Sequence, residues 1–169
     1  MQSNFYLTVS GKFILLVLLQ VFLLNHINFL GYINPYLYIL LILTFPFNSN
    51  KSLLIILSFL LGLTIDMFGD SGGVHAAACL VIAYLRPFIL KFSFGVSYEY
   101  NVIKINNIEF GKRLIYVTIM VFLHHLILFS MEIFNINHIM LLLKSTLFSG
   151  IFSIVLILSS ISIFSKKIK

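Results

Sequence analysis

A small set of ionisable side chains interrupts the apolar runs of this chain, and their chemistry is the first clue to its role. Asp66 and His75 flank a glycine-rich stretch, while His124, His125 and Glu132 share one later apolar run. Carboxylates and imidazoles can hold a metal ion, relay protons or bind a ligand. Inside a membrane such groups are costly, so each is a functional candidate, although many only bond neighbouring helices.

The spacing in the later run favours a structural role. His125 and Glu132 are about two helical turns apart and share a face, whereas His124 points roughly 100° away from His125. We expect two neutral histidines that are hydrogen-bonded inside a helix bundle, with a proton relay as the alternative. A metal site made by Asp66, His75, His125 and Glu132 is chemically possible, but no spacing requires it. We therefore predict no bound metal or cofactor.

Two stripes of small residues suggest close helix packing. Ser58, Gly62 and Asp66 recur at four-residue steps, so they lie on one helix face that ends in a carboxylate. A second stripe of the same spacing consists of Ser145, Ser149 and Ser153. Because small residues let helix backbones approach closely, we expect both stripes to pack on a helix of the same bundle or of a partner. Asp66 should lie at the outer interface or accept hydrogen bonds from a neighbouring helix.

The run that begins at Gly73 carries a further set of distinctive residues. His75, Cys79 and Arg86 lie on one helix face by their spacing. Cys79 is the only cysteine, so we expect a buried, unreactive thiol. Arg86 precedes Pro87 near the far end of the run, where a guanidinium can extend along the helix to the lipid headgroups. We therefore expect Arg86 to anchor this helix at the membrane interface.

Several common enzymatic motifs are absent from the sequence. It contains no phosphate-binding GxxxxGK[ST] loop, no HExxH zinc motif and no glycine-rich dinucleotide loop. Little of the chain lies outside the apolar runs, which leaves no room for a separate catalytic domain. The sequence therefore predicts a protein without catalytic residues.

The elements that carry these residues must face lipid. The chain has 169 residues, of which 60% are hydrophobic and 9% charged, whereas soluble domains average roughly 45–50% apolar and about 25% charged residues. A chain of this size cannot bury so much apolar surface in a water-soluble core. Its apolar runs approach the length of about 20 residues that a transmembrane helix needs. We predict an all-α integral membrane protein, a single compact bundle of six transmembrane helices at residues 12–31, 35–48, 51–69, 73–94, 112–134 and 139–165. The second run is short, so a kinked, tilted or partly re-entrant element is the alternative there.

Basic residues give the orientation of the bundle, since lysine and arginine near helix ends stay on the cytoplasmic side. They gather at one set of helix ends: Lys12, Lys51, Lys91, Lys104, Lys112, Arg113, Lys166, Lys167 and Lys169. The loops 31–34, 70–73 and 135–138 contain none. Both termini and the loop 95–111 are therefore predicted to be cytoplasmic, and the net charge of +6 reports topology rather than nucleic-acid binding. Alternation from Val96 to Val102 predicts an extended segment in that loop, with a solvated loop as the alternative.

One region of the chain resembles a known family. The stretch LGLTIDMFGDSGGVHAAACLVIAYLRP, residues 61–87, resembles the signature region of the rod shape-determining protein MreD family, in which a Gly-x-x-x-Asp helix end turns into a small-residue helix that starts near Gly and His. The pair His124 and His125 followed by Glu132 resembles the fifth helix of some members. The resemblance implies structural or pocket-lining roles for the matching residues, which are Gly62, Asp66, Gly73, His75, Arg86 and Pro87.

The resemblance also implies a function. MreD-like proteins are non-enzymatic, multi-pass scaffolds of the bacterial inner membrane that help to maintain rod shape during peptidoglycan elongation. The implied direct partner is the single-span protein MreC, which leads on to a SEDS glycosyltransferase, a class B penicillin-binding protein and an actin-like filament. The family is also similar in fold to the substrate-binding S components of energy-coupling vitamin transporters. The alternative function is therefore transport, with a small ligand or a membrane lipid in an outer pocket near Asp66, His75 and Glu132.

Overall fold

The computed structural model describes residues 2–95, 105 and 108–163, and its regular elements there are helical. Five of these helices are long and apolar enough to cross a membrane, so the protein is an all-α bundle compatible with a membrane. The helices are α1 (Gln2–Phe22), α2 (Leu40–Thr44), α3 (Lys51–Gly69), α4 (Val74–Phe94), α5 (Phe110–Ile133) and α6 (Ile139–Ile163). Helices α3 to α6 pack side by side in chain order, and α1 packs on α3.

The first helix differs in its bounds from the predicted span 12–31. It begins at Gln2, before the predicted start at Lys12, and it ends at Phe22. The chain then passes through a single 3₁₀ turn at Leu24–His26 and a tight reversal in which Asn28, Leu30 and Gly31 have positive φ angles of 29°, 56° and 79°. Left-handed residues of this kind end a helix.

The second predicted helix, 35–48, is wrong over most of its length. Only Leu40–Thr44 forms an α-helix, and residues 34–37 have no regular structure. Pro46 explains where the helix ends, because it forces the preceding residue, Phe45, out of the helical region to φ −59° and ψ 138°. The helix starts late because the backbone N–H groups of Tyr36 and Leu37 bond to side chains of α6 and α1.

Other predicted boundaries agree more closely. Helix α5 begins at Phe110, two residues before the predicted start, and the described part of α6 ends at Ile163. The alternating stretch from Val96 to Val102 and the basic tail Lys166–Lys169 lie outside the described residues, as does Lys104.

Aromatic contacts show which helix ends meet. Phe5, near the start of α1, packs edge-on against Phe45 with ring centres 5.9 Å apart. Phe47 stacks on Phe94 at the end of α4, also at 5.9 Å, and Phe94 contacts Tyr116 near the start of α5. We call this the Lys51 end of the bundle, because α3 begins there. The opposite end carries the turn 70–73 between α3 and α4, and we call it the turn end.

The segment between α1 and α3 occupies the centre of the bundle. Tyr38, Ile39, Ile42 and Leu43 are fully buried. The exposed large hydrophobic residues lie mostly on the outer faces of the five long helices, where lipid would contact them. The chain therefore wraps its long helices around a short, partly irregular segment.

Candidate functional site

Asp66 joins the end of α3 to the start of α4. Its Oδ1 atom accepts hydrogen bonds from the backbone N–H of His75 at 3.0 Å and from the hydroxyl of Ser71 at 2.6 Å. Its Oδ2 atom accepts from the N–H of Ala76 at 2.8 Å. The residue before α4 is Gly73, which has no side chain to cap the helix, so Asp66 serves as the cap from the neighbouring helix. A carboxylate at a helix N-terminus is also favoured by the helix dipole.

The two helices approach each other very closely at the same joint. A Cβ atom added at Gly62 would lie 2.5 Å from both the Cα atom of Ala76 and the carbonyl oxygen of His75. Ser58, one turn earlier, is fully buried and donates its hydroxyl hydrogen to the carbonyl of Leu54 in its own helix. The face formed by Ser58, Gly62 and Asp66 is therefore buried, and at Gly62 it packs directly on α4.

Tyr38 brings together two histidines that the sequence places on different helices. Its hydroxyl oxygen lies 2.7 Å from Nδ1 of His75 and 3.0 Å from Nε2 of His124. A hydroxyl can donate one hydrogen bond and accept another, so it can satisfy both rings at once. Tyr36 packs edge-on against His75 and His125, with ring centres 5.4 and 5.3 Å apart. Two tyrosines and three histidines thus form a buried cluster, which we call the Tyr38 cluster.

His125 has a complete set of partners in this cluster. Its Nδ1 atom lies 2.8 Å from the carbonyl oxygen of Val121, which can only accept a hydrogen bond. Its Nε2 atom lies 3.1 Å from the hydroxyl of Ser153, and that hydroxyl also accepts the backbone N–H of Tyr36 at 2.9 Å. A neutral His125 with its proton on Nδ1 satisfies all these contacts. His124 differs, because its Nδ1 atom is buried without a partner among the described residues.

The predicted site residues do not all meet. His75, His124 and His125 lie together, and Asp66 reaches them only through the backbone N–H of His75. Glu132 is exposed near the end of α5. Within the ranges that the structure describes, no group of three or more histidine, cysteine, aspartate or glutamate side chains is arranged to hold a metal.

Gln20 is a site residue that the sequence reasoning does not single out. Its side chain is fully buried in α1, and its Oε1 atom accepts the N–H of Leu37 at 2.9 Å. Its Nε2 atom donates to the carbonyl of Pro35 at 3.0 Å and to Asn25 at 2.9 Å. The signal available in the sequence is that Gln20 is a lone amide in an otherwise apolar run.

The serine stripe of α6 holds the same irregular segment from the other side. Ser149 accepts the N–H of Asn34 at 3.1 Å, and Ser153 accepts that of Tyr36. Both serines are fully buried, and Ser145 is nearly so. Irregular backbone is tolerated at membrane depth only where the protein itself satisfies its polar groups. Gln20 and the serine stripe meet this need, so the stripe binds the segment 34–37 in addition to contacting His125 of α5.

The side chain of Arg86 turns into the bundle, whereas the sequence predicts that it extends outward along the helix surface. Its side chain is only 3% exposed. The guanidinium donates from Nε to the hydroxyl of Tyr116 at 3.0 Å and from Nη2 to the carbonyls of Phe45 and Leu43. It also lies over the ring of Phe47 at 5.2 Å. The free carbonyls at the end of α2 favour a cation there, which accounts for the inward position.

Comparisons with models of protein families, with curated proteins and with solved structures found no match for this chain.

Proposed function

We propose that this chain is a non-enzymatic scaffold of the MreD type, which binds an MreC-like single-span partner in the bacterial inner membrane and supports rod-shaped wall growth. The observation that carries the proposal is the joint between α3 and α4. Four residues of the MreD-like pattern, Gly62, Asp66, Gly73 and His75, belong to this one joint. Their types suit close packing and helix capping, and such a joint would fix the shape of a surface that a partner recognises.

The polar residues of the core support a structural role over transport. The rings of Tyr36 and Tyr38 occupy the space beside His75, His124 and His125. A ligand of the S-component kind would have to displace these rings and break the bonds of Tyr38. We therefore rank ligand or lipid capture in an outer pocket as the alternative function.

We also propose that the chain crosses the membrane six times, with both termini cytoplasmic, as an S-component-like bundle would. A helix over the whole of 35–48 would be only about 21 Å long, which is short of the roughly 30 Å of the hydrocarbon core. Residues outside the helix can extend by up to about 3.3 Å each, so a mixed segment reaches farther. The positions of Tyr36 near His75 and of Phe45 near Phe5 support a return from the turn end to the Lys51 end.

The partner would bind to surfaces other than the small-residue stripes. Gly62 packs on α4, and Ser149 and Ser153 bond to the segment 34–37. Contacts with MreC, and through it with the glycosyltransferase, the penicillin-binding protein and the actin-like filament, must therefore use exposed faces of the long helices. A substitution inside the joint would weaken partner binding indirectly, by changing how α3 and α4 present these faces.

Depletion of the protein in its native cell tests the proposal. We expect rounded cells with normal vitamin uptake, and we expect the wild-type chain to restore rod shape. The Gly62→Leu variant should fail to restore it, whereas Gly11→Leu should succeed, because Gly11 has no atom within 4 Å of an added Cβ. Normal rods after depletion, combined with lost vitamin uptake, would favour the transport alternative.

A further inference from the structure

A small cavity lies at the Lys51 end, away from the Tyr38 cluster. Its walls include Ser49, which precedes α3, Lys51 at the start of α3, and Arg86 and Pro87 from the far half of α4. Its volume of about 20 Å³ is enough for one oxygen-sized atom. The walls are partly polar, and the cavity is large enough to admit a single ligand oxygen but not a whole small molecule.

Arg86 lines this cavity, and its charge has no anionic partner within the part of the chain that the structure describes. Its described hydrogen-bond partners are the hydroxyl of Tyr116 and the carbonyls of Leu43 and Phe45, and all three oxygens are uncharged. Within the described residues it forms no ion pair with a carboxylate. A buried cation without an anion is costly in a protein interior and more so in a membrane. Among the described residues, no negatively charged group balances Arg86.

A second cation lines the same cavity. Lys51 is exposed, so its ammonium group can reach both the cavity and the solvent or headgroup region. The described carboxylates lie elsewhere: Glu109 pairs with Lys112, Asp66 and Asp70 belong to the turn end, and Glu132 lies near the end of α5. The cavity thus combines a buried arginine and an exposed lysine, two cations with no described anion between them.

We propose that this cavity binds one oxygen of an anionic phosphate group, with Arg86 at its buried side and Lys51 at its open side, and that the phosphate belongs to a membrane lipid headgroup. Guanidinium and ammonium groups are the usual protein partners of phosphate. The cavity lies at the end of the bundle where α3 begins and α4 approaches its end, which is where headgroups of one leaflet would lie. A lipid held there would bridge α3 and α4 at the end opposite to the Asp66 joint.

Lipid retention in the full-length protein tests the proposal. The purified protein is mixed with phosphatidylglycerol or phosphatidylcholine in detergent, and retained lipid is counted by native mass spectrometry. We expect retention of phosphatidylglycerol, and we expect Lys51→Gln to weaken it about five-fold, since one basic residue near an anionic headgroup contributes a factor of this size.

The matched control is Lys91→Gln. Lys91 is also exposed in the last turn of α4, but it does not line the cavity. Both variants remove one positive charge, so a diffuse attraction to anionic lipid would fall equally in both, and that outcome would overturn the proposal. Arg86→Gln should abolish selective retention, but it also removes hydrogen bonds to Tyr116 and to carbonyls at the end of α2. If that variant does not fold, the comparison of Lys51→Gln with Lys91→Gln decides the test.

Thermal unfolding identifies the source of the phosphate. Stabilisation by phosphatidylglycerol and not by inorganic phosphate would support a lipid headgroup, whereas equal stabilisation by both would overturn the assignment to a lipid. Stabilisation by neither overturns the proposal. Glu99 lies outside the described residues and provides one more check: if Glu99→Gln destabilised the protein as much as Arg86→Gln, the counter-charge would belong to the chain itself, and the lipid would not be needed.

Discussion

Asp66 shows how a single carboxylate can be stabilised in an apolar bundle by hydrogen bonds to a helix N-terminus. It is only 5% exposed, yet both its oxygens are used, by two backbone N–H groups of α4 and by Ser71. The first N–H groups of a helix have no partner within the helix, and inside a membrane they need one. Asp66 therefore stabilises the start of α4 and ties it to the end of α3.

Removing this carboxylate should destabilise the protein. We expect Asp66→Ala to lower the free energy of unfolding by about 1–3 kcal/mol, because it leaves buried N–H groups without acceptors. Asp66→Asn should cost less, since one oxygen remains. Unfolding of the purified protein in mixed micelles measures both. The control is Asp70→Asn, which removes a charge from an exposed turn position and should change stability by no more than about 0.5 kcal/mol. Equal effects at the two positions would contradict the capping role of Asp66.

Residue types alone identify part of the polar core. Asp66, His75, His124 and His125 are conspicuous in the sequence because they interrupt apolar runs. Tyr38, which links His75 to His124, gives no such signal, because a tyrosine in a chain rich in aromatic residues predicts only burial or an interface. The inward position of Arg86 also could not be predicted. Its partners include the backbone carbonyls of Leu43 and Phe45, and no pattern of side chains in the sequence indicates these contacts.

At the scale of elements, the contact of α3 with α4 depends on the missing side chain of Gly62. Small residues permit such close approach, and in lipid this packing is a main source of helix association. The sequence predicts the small-residue face from its four-residue repeat. The sequence does not show which helix packs on this face, because that depends on the turn 70–73 and on the path of the chain through space.

A single methyl group at this contact tests it. We expect Gly62→Ala to lower the free energy of unfolding by about 1–3 kcal/mol, since the new Cβ meets backbone atoms that cannot rotate away. The matched variant Gly11→Ala adds the same methyl group to a helix at a position with open space. It should be neutral or stabilising by up to about 1 kcal/mol, because alanine is the better helix former. Equal destabilisation of both variants would contradict the close approach.

The segment 34–37 is the element that sequence periodicity misses. Its run of apolar residues resembles a short helix, but its backbone N–H groups bond to side chains of α1 and α6 that are far away in the sequence. Pro35 and Pro46 indicate that this segment is not a regular helix, but they do not identify the side chains that bind its N–H groups. Long-range side-chain to backbone bonds of this kind have no local signature, so the bounds of this element could not be predicted.

Loss of Ser153 should loosen this segment. The Ser153→Ala change leaves the N–H of Tyr36 and the Nε2 atom of His125 without partners, and we expect a cost of about 1–2 kcal/mol. The control is Ser162→Ala, because Ser162 is exposed and bonds only to the carbonyl of Leu158 in its own helix. Hydrogen exchange at Tyr36 provides a local readout. No change in that exchange would contradict the role given to Ser153.

At the scale of the whole molecule, the distribution of basic residues makes a prediction about sidedness. Ser52 lies at the Lys51 end and Asn137 lies between α5 and α6, and both are exposed. Cys79 is fully buried, so the unmodified protein should give little background labelling. With six crossings, Asn137→Cys should react with an impermeant maleimide added to intact cells, whereas Ser52→Cys should react only after the membrane is opened. The opposite pattern would invert the topology, and labelling of both from outside would contradict six crossings.

The class of the whole molecule follows from composition, because so many apolar residues in a short chain must face lipid. Five long apolar helices agree with that prediction. The proposed cellular role rests on a resemblance concentrated in residues 61–87. The structure explains the residue types there in terms of helix capping and packing. Composition and packing give the architecture of the bundle, but they do not identify its partner, since exposed apolar faces look alike whether they meet lipid or protein.

Affinity purification of the tagged protein from its native membrane, followed by identification of its companions, tests the central claim most directly. The scaffold proposal predicts that an MreC-like single-span protein is recovered, and that its yield falls with Gly62→Leu but not with Gly11→Leu. Recovery of an energy-coupling ATPase module together with a bound vitamin, and of no MreC-like protein, would contradict the claim.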